Sequence, residues 1–147
     1  MKRIPLGIDN FEAICQNCYY IDKTNIIANL VNLPEGTSLL FTRPRRFGKS
    51  LMLSMLQAFF EKSEKDNTAL FLDKKIYQNK EIIDSYFQKF SLIHLNLKDA
   101  IGNTYDDVIH KIRELISAEY ERHISLLKSE KLSAKEMTYF NSILAET

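Results

Sequence analysis

Thr42-Arg43-Pro44-Arg45-Arg46-Phe47-Gly48-Lys49-Ser50 is the stretch of this sequence that decides the predicted fold. It follows a short apolar run at residues 38–42, which is too short for a core helix and favours a buried strand. It leads into residues 50–61, where good helix formers without a breaker predict a heavily buried helix. A strand, a loop that ends in Gly-Lys-Ser and a helix together form the context that a phosphate-binding loop requires.

Each residue type at the end of this loop suits the binding of phosphate. Gly48 lets the backbone approach a ligand closely, and the first N–H groups of the following helix favour negative charge. Lys49 is predicted to reach the β- and γ-phosphates of a nucleotide, and the Ser50 hydroxyl is predicted to bind Mg²⁺. The predicted nucleotide-binding residues are Arg45, Arg46, Phe47, Gly48, Lys49, Ser50 and Leu51.

The loop departs from the standard motif at its first position. Arg43 stands where the standard motif has its first Gly, and four cations lie between Arg43 and Lys49. This local positive charge predicts attraction for a polyphosphate. Two alternatives stay open. Gly-Lys-Ser is a chance tripeptide at a helix start, or the loop belongs to a non-enzymatic module in which Arg43, Arg45 and Arg46 hold a nucleic-acid backbone or another phosphorylated partner.

The composition predicts a globular protein without a general basic character. The chain has 147 residues, of which 45% are hydrophobic and 27% charged, and these fractions argue against disorder. Twenty Lys and Arg face 19 Asp and Glu, so any basic binding site must be local. No apolar run approaches the roughly 18 residues of a membrane span, and the first residues form no apolar signal core. We therefore expect a cytoplasmic protein with no membrane contact.

The part of the chain from residue 91 onward predicts one further strand and two further helices. Residues 91–97 are mostly apolar and favour a second strand. A helix is expected from Thr104, which forms a capping box with Asp107, and another near Ser133, which forms one with Glu136. The fold class predicted from these segments is α/β: the N-terminal portion of a P-loop nucleotide-binding domain, with a parallel sheet and a helical C-terminal segment.

Three other groups of residues carry side chains that suit a functional role. Residues 22–24, Asp-Lys-Thr, either start a helix or shape the nucleotide pocket. Cys15 and Cys18 have the spacing of half a zinc site, but without a second ligand pair they are predicted to be ordinary thiols. Asp99 follows the second predicted strand and is interpreted as a solvated residue at the strand end.

The Arg-Pro-Arg-Arg-Phe-Gly-Lys-Ser run resembles the divergent Walker A segment of the AAA-ATPase-like family of bacterial and archaeal P-loop proteins. In that family the missing first Gly is usual. Further segments match the family's pattern in order over about residues 4–145: Pro5-Leu6-Gly7-Ile8, Tyr20-Ile21-Asp22-Lys23-Thr24, Phe59-Phe60-Glu61 and Leu92-Ile93-His94-Leu95-Asn96-Leu97-Lys98-Asp99. The resemblance implies a partial domain made of an N-terminal segment (1–37), a P-loop core (38–103) and a helical segment (104–147).

The resemblance also implies which nucleotide is bound and what the sequence lacks. It implies ATP with Mg²⁺, hydrolysed when the domain is complete. The Walker B strand of the family is expected after the two C-terminal helices, so the sequence is expected to be the N-terminal part of a longer protein and to be catalytically silent as given. Nucleic acid is an expected partner through a PD-(D/E)XK nuclease-like domain that often follows in the family. An unpaired sheet edge would further favour self-association.

Overall fold

The structure is a computed structural model that describes residues 3–5, 7–128 and 131–145. Leu6, which belongs to one of the segments that resemble the family, and the side chain of Asp99 lie outside the described residues. Within them the chain forms seven α-helices: α1 (Phe11–Asn17), α2 (Asn25–Val31), α3 (Lys49–Phe60), α4 (Thr68–Phe71), α5 (Lys80–Tyr86), α6 (Tyr105–Arg122) and α7 (Ala134–Ala145). Three short 3₁₀ helices cover Lys75–Gln78, Leu97–Asp99 and Ile124–Lys128.

The chain divides into two compact units, one that ends at Leu92 and one that begins at Ile93. The first unit contains α1–α5 and has an apolar core. Its centre is a group of phenylalanine rings. The ring centroid of Phe71 lies 5.2 Å from that of Phe11, 5.4 Å from that of Phe59 and 5.6 Å from that of Phe87. Phe11, Phe59 and Phe71 are fully buried. Phe59 and Phe87 meet Phe71 edge to face, and such contacts stabilise a core beyond the area that they bury.

The second unit contains α6 and α7, which pack against each other. Both helices begin where the sequence predicts them, at capping boxes. The Thr104 side chain accepts from the Asp107 N–H, and the Asp107 carboxylate accepts from the Thr104 N–H. Ser133 and Glu136 exchange the same two bonds at the start of α7. The two predicted helices are therefore confirmed.

The predicted α/β fold class, with its parallel sheet, is wrong. In the described residues, strand-like pairing is confined to two isolated parallel bridges, Arg3 with Cys18 and Glu61 with Phe90. Residues 38–42 and 91–96 have no regular secondary structure, and Leu40 and Ile93 expose 87% and 74% of their surfaces. The apolar content of both segments predicted burial, but a strand forms only where a neighbouring segment pairs with its N–H and C=O groups. Here helices build the core of the first unit, so the described part of the protein is mostly helical.

None of the helices in the described part of the chain combines the length and the apolar character that crossing a bilayer needs.

Candidate functional site

The candidate site is the turn that leads into α3. Gly48 lies at the N-cap position with φ 74° and ψ 27°, a left-handed conformation that glycine adopts without steric cost. The carbonyl of Gly48 accepts the first helical bond, from the Met52 N–H at 2.9 Å. The N–H groups of Lys49, Ser50 and Leu51 have no acceptor among the described residues, because they form the first turn of the helix. Three parallel donors thus face outward next to a left-handed residue, an arrangement that suits an anion.

The side chain of Lys49 folds back over the loop that precedes it. Its ammonium group donates to the Arg43 carbonyl at 2.6 Å and to the Pro44 carbonyl at 3.0 Å. Side chains of a helix point toward its N-terminus, which brings the ammonium group back to these two carbonyls. The two bonds close residues 43–49 into a ring, with the lysine charge at the Arg43 and Pro44 carbonyls.

The arginines of the loop are exposed, as is the aromatic side chain between them and Gly48. Arg43, Arg45 and Arg46 form no ion pair within the part of the chain that the structure describes. Arg46 has φ 67°, which is uncommon for a residue other than glycine and marks local backbone strain. Phe47 exposes 62% of its surface. The cationic groups of the loop are therefore accessible to a ligand.

The helix α3 that carries the loop is fixed at several points of the first unit. Its Ser54 hydroxyl accepts from the Phe11 N–H at 3.0 Å, and its Met55 sulfur accepts from the Tyr20 hydroxyl at 3.3 Å. Phe59 is fully buried, and its carbonyl accepts from the Gln88 N–H at 2.7 Å. The exposed loop is thus attached to a helix that the core holds in place. The prediction of a heavily buried helix at residues 50–61 was too strong, since only Met55 and Phe59 of α3 are fully buried.

The structure places the predicted nucleotide-binding residues on one short stretch, as their sequence positions require. Gly48, Lys49, Ser50 and Leu51 form the helix start, and the Ser50 hydroxyl is exposed there. No group of three or more His, Cys, Asp or Glu side chains that could hold a metal ion occurs among the described residues. Ser50 as a ligand of Mg²⁺ stays a prediction.

Asp22 and Thr24 form a connection that the sequence did not reveal. One Asp22 oxygen accepts from the N–H and the hydroxyl of Thr24, at 2.8 and 2.7 Å, and the other accepts from the Lys75 N–H at 2.7 Å. The hydroxyl of the fully buried Thr24 accepts from the Ile76 N–H at 3.2 Å. These bonds attach the segment before α2 to the 3₁₀ helix Lys75–Gln78. Thr24 makes no side-chain capping bond to α2.

The charge of Asp22 is stabilised by this connection. Partial burial alone would raise the pKa of the Asp22 carboxyl, but the hydrogen bonds from Lys75 and Thr24 outweigh burial and lower the pKa below its usual value. The carboxylate is therefore the form that the fold requires.

Cys15, Cys18 and Glu119 are three further side chains with reactive or charged groups. Cys15 is half-buried and Cys18 is buried, and neither forms a disulfide bond with another described residue. The Glu119 side chain on α6 is only 12% exposed. Its carboxylate accepts from the Arg122 guanidinium at 2.5 and 3.0 Å and from the His94 N–H at 2.8 Å, and the bond from Arg122 is the main cause that lowers its pKa. The bond to a residue 25 positions away has no signal in the helical pattern.

Comparison with known proteins decides the family. A family model described as a predicted AAA-ATPase matches residues 5–147, nearly the whole chain. The chain belongs to this AAA-ATPase-like family. It is also 29% identical over 118 residues to an uncharacterized protein in the vnfD 5′ region of Azotobacter chroococcum mcd 1. That match covers 79% of this AAA-ATPase-like chain but only 21% of the relative, so the chain spans about a fifth of the relative's length. No solved structure matches the chain.

Proposed function

We propose that residues 43–51 bind the phosphate chain of ATP together with Mg²⁺. The observation that carries this proposal is the arrangement at the start of α3, where Gly48 is left-handed and Lys49 lies across the loop. The backbone N–H groups of residues 49–51, which begin that helix, have no acceptor among the described residues. Backbone N–H groups and a lysine are the groups with which phosphate-binding loops hold a nucleotide. Membership of a family described as predicted AAA-ATPases supports the same assignment.

The residues of the loop divide the binding between backbone and side chains. The N–H groups of Lys49, Ser50 and Leu51 would donate to phosphate oxygens, with Gly48 allowing close approach. The Lys49 ammonium would add a charge-assisted bond. Because the Ser50 hydroxyl is exposed and has no hydrogen-bond partner among the described residues, it is free to bind a metal ion.

A single neutral hydroxyl suits Mg²⁺ better than most metals. This ion keeps several waters and takes its other ligands from substrate phosphates. Mg²⁺ would neutralise part of the phosphate charge when bound. In this arrangement the protein's own contribution is to position the phosphate chain against α3.

ATP is chosen over GTP on family membership, and hydrolysis is proposed only for the whole protein. Hydrolysis requires further groups that position the metal and the attacking water. The chain covers about a fifth of its curated relative, so such groups belong to the proposal for the longer protein. For the residues described here the proposed function is binding.

Nucleic-acid binding is a second candidate, favoured by the exposure of Arg43, Arg45 and Arg46 without acidic partners in the described residues. Calorimetric titration separates the two candidates, with ATP plus Mg²⁺ in one series and a duplex DNA oligonucleotide in the other at equal ionic strength. The proposal predicts saturable heat with ATP. Saturable, salt-dependent binding of DNA without any binding of ATP would replace it with the second candidate.

A further inference from the structure

The cationic residues of the proposed site lie in a long stretch of sequence without acidic residues. Between Glu35 and Glu61 the chain carries no acidic residue, while Arg43, Arg45, Arg46 and Lys49 give this stretch four positive charges. The chain has 20 Lys and Arg and 19 Asp and Glu; since four of the 20 lie in this stretch, the remainder carries a net charge of −3. An anionic ligand is therefore attracted to residues 43–49, the cationic loop, and repelled on average by the rest of the chain.

Lys49 can supply only part of the hydrogen bonds and positive charge that a phosphate chain needs. An ammonium group has three donors. Two of them are used on the carbonyls of Arg43 and Pro44, which leaves one for a ligand. The charge of a chain of several phosphates must therefore be met largely by other cations of the loop.

Arg45 and Arg46 are the groups available for that role. Both are exposed, and neither is paired with a carboxylate in the described residues. A guanidinium group presents several N–H donors in a planar fork that matches phosphate oxygens. Each further phosphate adds negative charge and acceptor oxygens, so these two side chains gain more from a longer chain than from a single phosphate.

We propose that the cationic loop selects its ligand by the number of phosphates, with Arg45 and Arg46 setting a preference for three, and that the nucleoside adds little to affinity. This inference rests on the proposed function, because it assumes that the ligand occupies residues 43–51. The shared chemistry is a triphosphate chain, which either a nucleoside triphosphate or inorganic tripolyphosphate can supply.

The backbone of the loop provides a clean way to remove one guanidinium. Arg46 has φ 67°, a conformation that glycine adopts freely, so Arg46→Gly removes the side chain and keeps the backbone geometry. Arg45→Gln removes the second charge and keeps most of the side-chain length. Lys62→Ala is the matched control for a lost positive charge, because Lys62 is exposed just beyond the other end of α3.

The experiment is calorimetric titration with Mg²⁺ at fixed salt, using ATP, ADP, AMP, tripolyphosphate, pyrophosphate and phosphate. We expect tripolyphosphate to bind within about threefold of ATP, and affinity to fall with each phosphate removed. The Arg45→Gln/Arg46→Gly variant should lose about tenfold or more for ATP and tripolyphosphate but little for phosphate, because charge-assisted contacts are lost. Lys62→Ala should bind all six ligands like the wild type.

The outcomes that overturn the inference are distinct from failure of the proposed function. If ATP binds and tripolyphosphate does not, the nucleoside is recognised. The inferred selection by the number of phosphates is then wrong, while the proposed binding of ATP stands. If the arginine variant loses equal affinity for ATP and for phosphate, Arg45 and Arg46 do not set the preference. If neither ATP nor tripolyphosphate binds, the proposed function itself is wrong.

Discussion

Lys49→Ala tests the role of the lysine in the loop most sharply. The wild-type ammonium group uses two donors on the Arg43 and Pro44 carbonyls and has one left for a phosphate oxygen. One hydrogen bond to a charged group contributes about 1.5–3 kcal/mol. Because about 1.4 kcal/mol is tenfold in affinity, the variant should bind ATP with Mg²⁺ about 10- to 150-fold more weakly. Calorimetric titration of both proteins measures this ratio directly.

Lys62→Ala is the control for this prediction. It removes the same charge from an exposed lysine just beyond the end of α3, roughly 20 Å from Lys49 at about 1.5 Å per helical residue. We expect its affinity for ATP to match that of the wild type. Equal affinity of the wild type and Lys49→Ala would refute the assignment of Lys49 to the phosphates. Equal losses in both variants would show that only the overall charge matters.

The remaining predictions concern the backbone, the core and the acidic connection. In Gly48→Ala the added Cβ has room, but the residue must keep φ near 74°. We therefore expect the free energy of unfolding, measured in urea, to fall by about 1–2 kcal/mol. Gly102→Ala should instead cause a clash, because its Cβ would lie 2.4 Å from that of Asp107, and circular dichroism should show lower helix content. Phe71→Ala should cost about 3–5 kcal/mol by the same unfolding assay, since its ring is fully buried. Asp22→Asn should destabilise the fold near neutral pH by about 1 kcal/mol. The pKa of Asp22 in the folded protein lies below its ordinary value of 3.8, so the difference from the wild type should vanish as the pH falls below 3.8 and the Asp22 carboxylate becomes protonated. A difference that persisted in acid would show that the charge of Asp22 is irrelevant.

Local features of this fold could be predicted from the sequence. Each capping box joins residues three positions apart, Thr104 with Asp107 and Ser133 with Glu136, so the pattern contains both partners. The start of α3 after Gly48 was predictable for the same reason, because a left-handed glycine and the first helical residues are neighbours. The cationic character of the loop is also a property of adjacent residues.

Features that join distant residues could not be predicted. Apolar character at residues 38–42 and 91–97 indicated strands, but a strand depends on a pairing partner that no local pattern identifies. The bond from the Lys75 N–H to Asp22 spans 53 positions, and that from the His94 N–H to Glu119 spans 25. In both cases a carboxylate accepts a backbone N–H from a distant part of its own unit, and no local pattern identifies that donor.

The central claim is that a phosphate chain binds at the free N–H groups that begin α3. Nuclear magnetic resonance of the ¹⁵N-labelled protein, titrated with ATP and Mg²⁺, tests it directly because each backbone amide reports separately. We predict that the largest chemical-shift changes occur at Gly48, Lys49, Ser50 and Leu51, and that inorganic tripolyphosphate shifts the same amides. Saturable binding with no change at these four amides, or with the largest changes in α6 and α7, would contradict the account.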